Sequence, residues 1–262
     1  MANLTQSRFA NLIYYLDLII ILTFKEIKVK YRSNILGYLW SVLHPLSMAV
    51  VLYFAFKFVM KIPIENFTLF LITGLFPWQW FSNSVASSSV SLLANASLIK
   101  KVNFPRYFIP LSNVLNDAFH FLLSIPVIIA FAFYYNIFPT LDWLYGIPLF
   151  MLSQFMITYG ISLMVSSINL FFRDLERLIT IGLSILFYLT PVAYSAKLIP
   201  EKFKNYLFFN PMFATIEGWH KLFLEGSFDM QYFIVSFFYG AILLVMGLWI
   251  FSKLSYKFAE VL

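Results

Sequence analysis

Six long apolar runs, at roughly residues 36–60, 67–92, 108–134, 144–170, 178–196 and 230–251, alternate along the chain with seven short polar stretches. Each run reaches or approaches the ~20 residues that a helix needs to cross the hydrocarbon core of a bilayer. The pattern predicts an all-α, polytopic membrane protein with six transmembrane helices. It reads as one domain over residues 1–262, with a cytoplasmic arm at 1–34, the membrane region at 35–252 and a tail at 253–262.

Two further segments stand out from this alternation. Residues 12–24 are apolar apart from Asp17 and Thr23, a run too short to span. Phe9, Leu12, Ile13, Leu16, Ile20, Phe24, Ile27 and Tyr31 recur at three- and four-residue spacing, with Lys25, Lys28 and Arg32 beyond them. That periodicity predicts an amphipathic helix lying on the cytoplasmic membrane surface, either a plain anchor or a docking face for a partner subunit. Between the fifth and sixth spans, Lys197 to about Asp229 is more apolar than a solvated loop. Pro200 and Pro211 can each open a short helix there, and Tyr206, Phe208, Phe209, Phe213, Trp219 and Phe223 suit burial in the outer interface. Two short outer-face helices are therefore expected, which either seal the exit or touch a substrate.

Charge orients these spans. Arg8, Lys25, Lys28, Lys30, Arg32, Lys100, Lys101, Arg106, Arg173, Arg177, Lys253 and Lys257 fall in the first, third, fifth and seventh polar stretches, twelve of the eighteen basic residues. By the positive-inside rule both termini are cytoplasmic. Hydrophobic residues make up 61% of the chain and charged ones 11%, a surface no soluble fold of this length could hide. The net charge of +6 then reads as topology and anionic-lipid contact, not nucleic-acid binding. The first apolar run lacks a small-residue cleavage site, so the first span is expected to act as its own insertion signal.

Candidate chemistry is sparse. No cysteine is present, which excludes disulfides and thiolate chemistry, and no His, Asp or Glu set has metal-ligand spacing. A nucleotide-binding loop needs two glycines five positions apart, and none of the nine glycines forms such a pair. Any energy source is therefore a separate subunit or an ion gradient. Aromatic residues reach 21%, and rings can stack on sugar C–H faces without one fixed hydrogen-bond pattern. Tyr38, Trp40, Trp78 and Trp80, near the ends of the first two spans, are the candidates for such a path, with packing as the alternative. On the third span Asn113, Asn116, Asp117, His120 and Ser124 form one polar stripe, read either as interhelical hydrogen bonding or as a proton relay of a gradient-driven carrier. Ala94 to Val102 reads as a short helix ended by Asn103, Phe104 and Pro105. Lys100, Lys101 and Arg106 beside it either mark topology alone or hold a lipid diphosphate.

Ordered fragments along the chain carry a family resemblance. Lys28-Val29-Lys30-Tyr31-Arg32, Leu36-Gly37-Tyr38-Leu39-Trp40 with Pro45, and Gly74-Leu75-Phe76-Pro77-Trp78 come first. Asn95-Ala96, Ile99-Lys100-Lys101, Phe104-Pro105-Arg106, Asn169 to Arg177, Thr190-Pro191, Ile199 to Phe203 and Asn210-Pro211 follow. In this order the chain resembles the permease subunits of ABC-type polysaccharide exporters, and most closely the O-antigen exporter permeases of Gram-negative bacteria. The resemblance implies a homodimer in the inner membrane, bound to two copies of a separate ATPase that holds ATP and Mg²⁺, with no cofactor in this chain. It implies ATPase contact through the arm (Arg8, Lys25, Lys28) and through the short helix (Asn95, Leu98, Ile99, Lys100, Lys101). It further implies that undecaprenyl-diphosphate-linked polysaccharide arrives at a basic entrance made of Lys30, Arg32, Lys100, Lys101 and Arg106. Alternatives are a capsule or teichoic acid exporter, a proton-coupled carrier using Asp117 and His120, and an integral-membrane glycan enzyme.

Overall fold

The computed structural model describes residues 2–31, 39–61 and 63–262, and their side chains except those of 2–12, 29–31, 41, 205 and 259. Every regular element among them is helical. In chain order these are α1 (Ala2–Tyr31), α2 (Trp40–Tyr53, continued by a π-helical turn Phe54–Val59), α3 (Phe67–Ala94) and α4 (Ala96–Lys101). Then come α5 (Phe108–Tyr134), α6 (Leu141–Asn169), α7 (Leu175–Leu189), α8 (Glu201–Leu207), α9 (Phe213–His220, continued by a π-helical turn Lys221–Glu225), α10 (Met230–Ser255) and α11 (Phe258–Val261).

Among the described residues four helical segments are long and apolar enough to cross a membrane: Val42–Val59, α5, α6 and α10. The other two expected spans fall short for different physical reasons. α3, at 28 residues, rises about 42 Å and has the length, but Ser82, Ser84, Ser87, Ser88, Ser89, Ser91 and Gln79 dilute its apolar content. It is the central helix, packed on α2, α5, α6, α7 and α9, and most of its polar side chains lie against those neighbours instead of facing outward. α7 has the apolar character but only 15 residues, about 22 Å, before a buried turn at residues 190–193.

The arm is one continuous 30-residue helix. Leu22 and Ile27 are buried against the bundle and α1 packs on α5, whereas Ile13, Leu16, Ile20 and Phe24 of the expected apolar stripe remain exposed. The outer segment also departs from expectation in depth. α8 begins directly after Pro200 and is exposed at Phe203 and Tyr206, as is Phe209 just beyond its end. α9 instead enters the core: Phe213, Trp219, Leu222 and Phe223 are buried, and the segment ends at Gly226, whose φ of +66° suits glycine. Its large rings gain more from the packed bundle than from an interface.

The most intimate contact joins α6 and α10. A Cβ added to Gly247 would stand 2.3 Å from the Gly160 carbonyl oxygen, so the two backbones touch through these glycines. Two turns earlier on α6, Ser153 Oγ accepts from Ser236 Oγ at 3.0 Å, and Ser236 shares a 2.7 Å bond with Thr215 of α9, tying three helices with small hydroxyls.

Candidate functional site

One end of the bundle gathers the basic residues. Beneath them lies an apolar cluster of Leu22 (α1), Leu92 (α3), Ile99 (α4), Phe104, Phe108 (α5), Phe251 (α10) and Phe258 (α11). Its rings and branched side chains explain why α4 forms at all: six residues cannot hold a helix alone, and Ile99, 4% exposed, pins this one to the cluster. Asn95 sits at the joint between α3 and α4. Its Nδ2 donates to Ser91 O at 2.9 Å and its Oδ1 accepts from Lys25 Nζ at 2.5 Å, so arm and short helix share one polar contact. Leu98 is partly buried against the same cluster. Lys28, Lys100 and Lys101 project outward.

Arg106 does not join them. Its Nη1 donates to Ser255 O at the end of α10, and the side chain lines a cavity of about 720 Å³ with Tyr107, Trp249, Ser252 and Tyr256. The Arg8 and Lys30 side chains, and all of Arg32 and Tyr38, lie outside the described residues. Across the same end, Asn169 donates from Nδ2 to Ser89 O at 2.9 Å and accepts from Glu176 N at 3.0 Å, anchoring the loop that carries Arg173 and Arg177.

The polar stripe of α5 is buried inside the subunit. Ser84 Oγ donates to Asp117 Oδ2 at 3.1 Å and Asn116 Nδ2 to Asp117 Oδ1 at 3.2 Å, which links α5 to α3. Asn113 and His120 are buried with them. The four aromatic candidates separate. Trp80, 2% exposed, donates its indole N–H to Val114 O at 3.2 Å and stacks on Phe121, and Trp78 packs on Phe81 and Phe187. Both are core residues of one subunit, consistent with the aromatic excess being spent on a chain of packed rings that continues from Phe121 through Trp219 to Phe223. Trp40 is exposed, as are Phe54 and Phe58 farther along α2 and Tyr188 on α7. The sequence pattern did not single out these last three, because exposed and packed rings share one periodicity.

The outer end carries a charged group that the linear sequence also concealed. Lys221 Nζ pairs with Asp229 Oδ2 at 2.6 Å, and Asp229 Oδ1 caps α10 by accepting from Gln231 N and Tyr232 N. Glu217, one turn before Lys221, has its carboxyl pushed up to about 7 by burial, with Lys221 opposing the shift. His220 stacks on Phe70, shares a 3.0 Å bond with Thr73 Oγ1 and another of 3.1 Å with Pro191 O; burial depresses its pKa to about 4 and keeps the ring neutral. Among the described residues no group of His, Asp and Glu side chains could hold a metal ion.

Comparison with known proteins adds to this geometry. The family model described as ABC-2 type transporter matches residues 17–224. The chain is 50% identical over 252 residues to the O-antigen export system permease protein RfbA of Klebsiella pneumoniae, covering 96% of this chain and 97% of that one. It is 31% identical over 254 residues to the Myxococcus xanthus protein of the same name, covering 95% and 97%. To the polysialic acid transport protein KpsM of Escherichia coli it is 26% identical over 207 residues, covering 74% and 76%.

Proposed function

The chain belongs to the ABC-2 type transporter family, and from that premise we propose that it is the permease of an exporter moving undecaprenyl-diphosphate-linked O-antigen across the bacterial inner membrane. It is a multi-pass membrane permease and not an enzyme. ATP and Mg²⁺ belong to a separate ATPase, two copies of which serve a homodimer of this chain. The observation that carries the cargo assignment is the 50% identity, over nearly the full length of both chains, with a protein named for O-antigen export. The lower and less extensive similarity to a polysialic acid transporter leaves capsular glycan as the second reading.

The subunit crosses the membrane six times in this reading, with both termini cytoplasmic. α3 spans because its polar side chains are shielded by neighbours, and α7 spans together with the buried turn that follows it. The basic end faces the cytoplasm. There the arm and α4 receive the ATPase stroke, through Arg8, Lys25 and Lys28 on one and Asn95, Leu98, Ile99, Lys100 and Lys101 on the other. Lys30, Arg32, Lys100 and Lys101 present positive charge to the arriving diphosphate; Arg106, turned away to Ser255 of α10, is not part of that entrance. α2 and α7 flank α3 and leave most of their apolar surface uncovered, which suits them to face the second subunit and the passage. Trp40 then offers a ring to the sliding glycan.

The test is ATP hydrolysis by the permease reconstituted in lipid with its ATPase, with and without an undecaprenyl-diphosphate glycan. Hydrolysis that needs the complex and rises with the O-antigen lipid supports the assignment. A functional complex that responds only to a capsular glycan moves the cargo to the second reading. Failure to bind any ATPase removes the reading altogether.

A further inference from the structure

The cavity beside Arg106 is built like a lipid site. Its floor and walls come from the loop before α5 and from the last two turns of α10, where the apolar helix gives way to Ser252, Lys253, Ser255 and Lys257. This is the depth at which Trp and Tyr anchor membrane proteins, and Tyr107, Trp249 and Tyr256 all line the cavity while remaining exposed. Arg106 is half-buried and gives one N–H to Ser255 O, which leaves its remaining donors for a ligand. Lys253 Nζ lies 3.9 Å from the centre of the Trp249 ring and Lys257 Nζ 5.4 Å from that of Tyr256, so two more cations stand at the rim. Among the described residues no carboxylate lines the cavity.

We propose that this cavity binds the phosphate head group of a resident anionic phospholipid, with the half-buried Arg106 as its donor and Trp249 against the acyl chains. The charge pattern favours an anion, and the volume of about 720 Å³, open beside an exposed apolar helix, suits a head group with its chains laid along α10. The inference needs only a multi-pass protein in a bilayer, and it stands whichever glycan is exported.

Trp249 supplies a local readout. The full-length protein is placed in phosphatidylcholine vesicles containing either brominated phosphatidylglycerol or brominated phosphatidylcholine. The quenching that disappears in Trp249→Phe is then assigned to the cavity. The expected result is half-quenching at a roughly fivefold lower mole fraction of the anionic lipid, the advantage of about one cation near an anionic surface. Arg106→Gln should abolish that preference. If Arg106→Gln does not fold, Ser252→Phe places a ring inside the cavity while keeping the arginine and should abolish it too. Equal quenching by both lipids, or a preference that survives these substitutions, overturns the proposal. Relief of quenching by millimolar inorganic phosphate reduces the cavity to a free-anion site, and relief by equimolar undecaprenyl diphosphate assigns it to the cargo; either outcome overturns a resident phospholipid.

Discussion

Lys25 Nζ donates to Asn95 Oδ1 at 2.5 Å, across 70 positions of sequence. The bond joins the arm to the point where α3 turns into α4, and Asn95 holds its own side chain in place through Ser91 O. The bond therefore couples two segments that both face the proposed ATPase. Lys25 is partly exposed and also reaches Glu26 at 3.2 Å, so the energy of the pair is reduced by solvent to about 1 kcal/mol, roughly a fivefold effect. Lys25→Met and Asn95→Leu should each lower glycan-stimulated ATP hydrolysis by the reconstituted complex about that much. The double variant should lose no more than either single one. Losses that multiply would show that the two residues act separately.

Gln154 bridges two buried groups of different elements. Its Nε2 donates to Pro77 O at 2.8 Å on α3, and its Oε1 accepts from Trp219 Nε1 at 2.8 Å on α9. Gln154→Leu preserves the approximate volume but leaves the buried Trp219 indole N–H without its acceptor. An unsatisfied buried group costs about 1–3 kcal/mol. The apparent unfolding temperature in detergent should fall clearly, and Trp219→Phe added to Gln154→Leu should recover part of the loss. No fall in the single variant would mean that the bridge is not formed.

Gly160 and Gly247 set the separation of α6 and α10. Helix propensity alone would favour alanine at either position by about 1 kcal/mol. The clash is with backbone, 2.3 Å at Gly247 and 2.5 Å from Leu243 at Gly160, and backbone cannot turn aside. Overpacking of about 1–3 kcal/mol should therefore dominate, and Gly247→Ala should lower thermal stability. Gly182 on α7 has no atom within 4 Å of an added Cβ, so Gly182→Ala should leave the isolated subunit as stable or more so. Equal responses at 182 and 247 would contradict the close crossing.

Periodicity and punctuation made the helical class, the start of α8 after Pro200 and the short helix around Ile99 legible in the sequence, because each depends on local pattern. What escaped depends on partners distant in the chain. α3 reads as a span of modest apolarity, and only the surrounding helices explain how its serines lie inside. α9 reads as an interfacial helix because Trp219 and Phe223 look alike in sequence whether they meet lipid or Phe121 and Trp143. Lys100, Lys101 and Arg106 form one basic cluster on paper, yet the turn at Asn103 and Phe104 sends Arg106 to α10. Trp78 and Trp80, expected near the end of a span, lie at the middle of α3 and face the core, which only the fold shows.

Glu217 makes the outer end sensitive to pH. Its carboxyl titrates near 7 in the folded protein against an ordinary value of 4.5, chiefly because burial disfavours its charge, with Glu225 adding to the shift while Lys221, the Ala196 N–H and Lys197 oppose it. The folded state thus holds a proton that the unfolded chain has released between about pH 4.5 and 7. Stability should fall as pH rises through that window and level off above it, by on the order of 3 kcal/mol in total. Glu217→Gln stays neutral throughout. It should melt like the parent protein near pH 4.5 and at a higher temperature at pH 8, the Lys221–Asp229 pair remaining intact in both. Melting curves of parent and variant recorded from pH 4.5 to 8 decide the matter: parallel profiles would mean that Glu217 ionises at its ordinary pH and that the group around it is solvated.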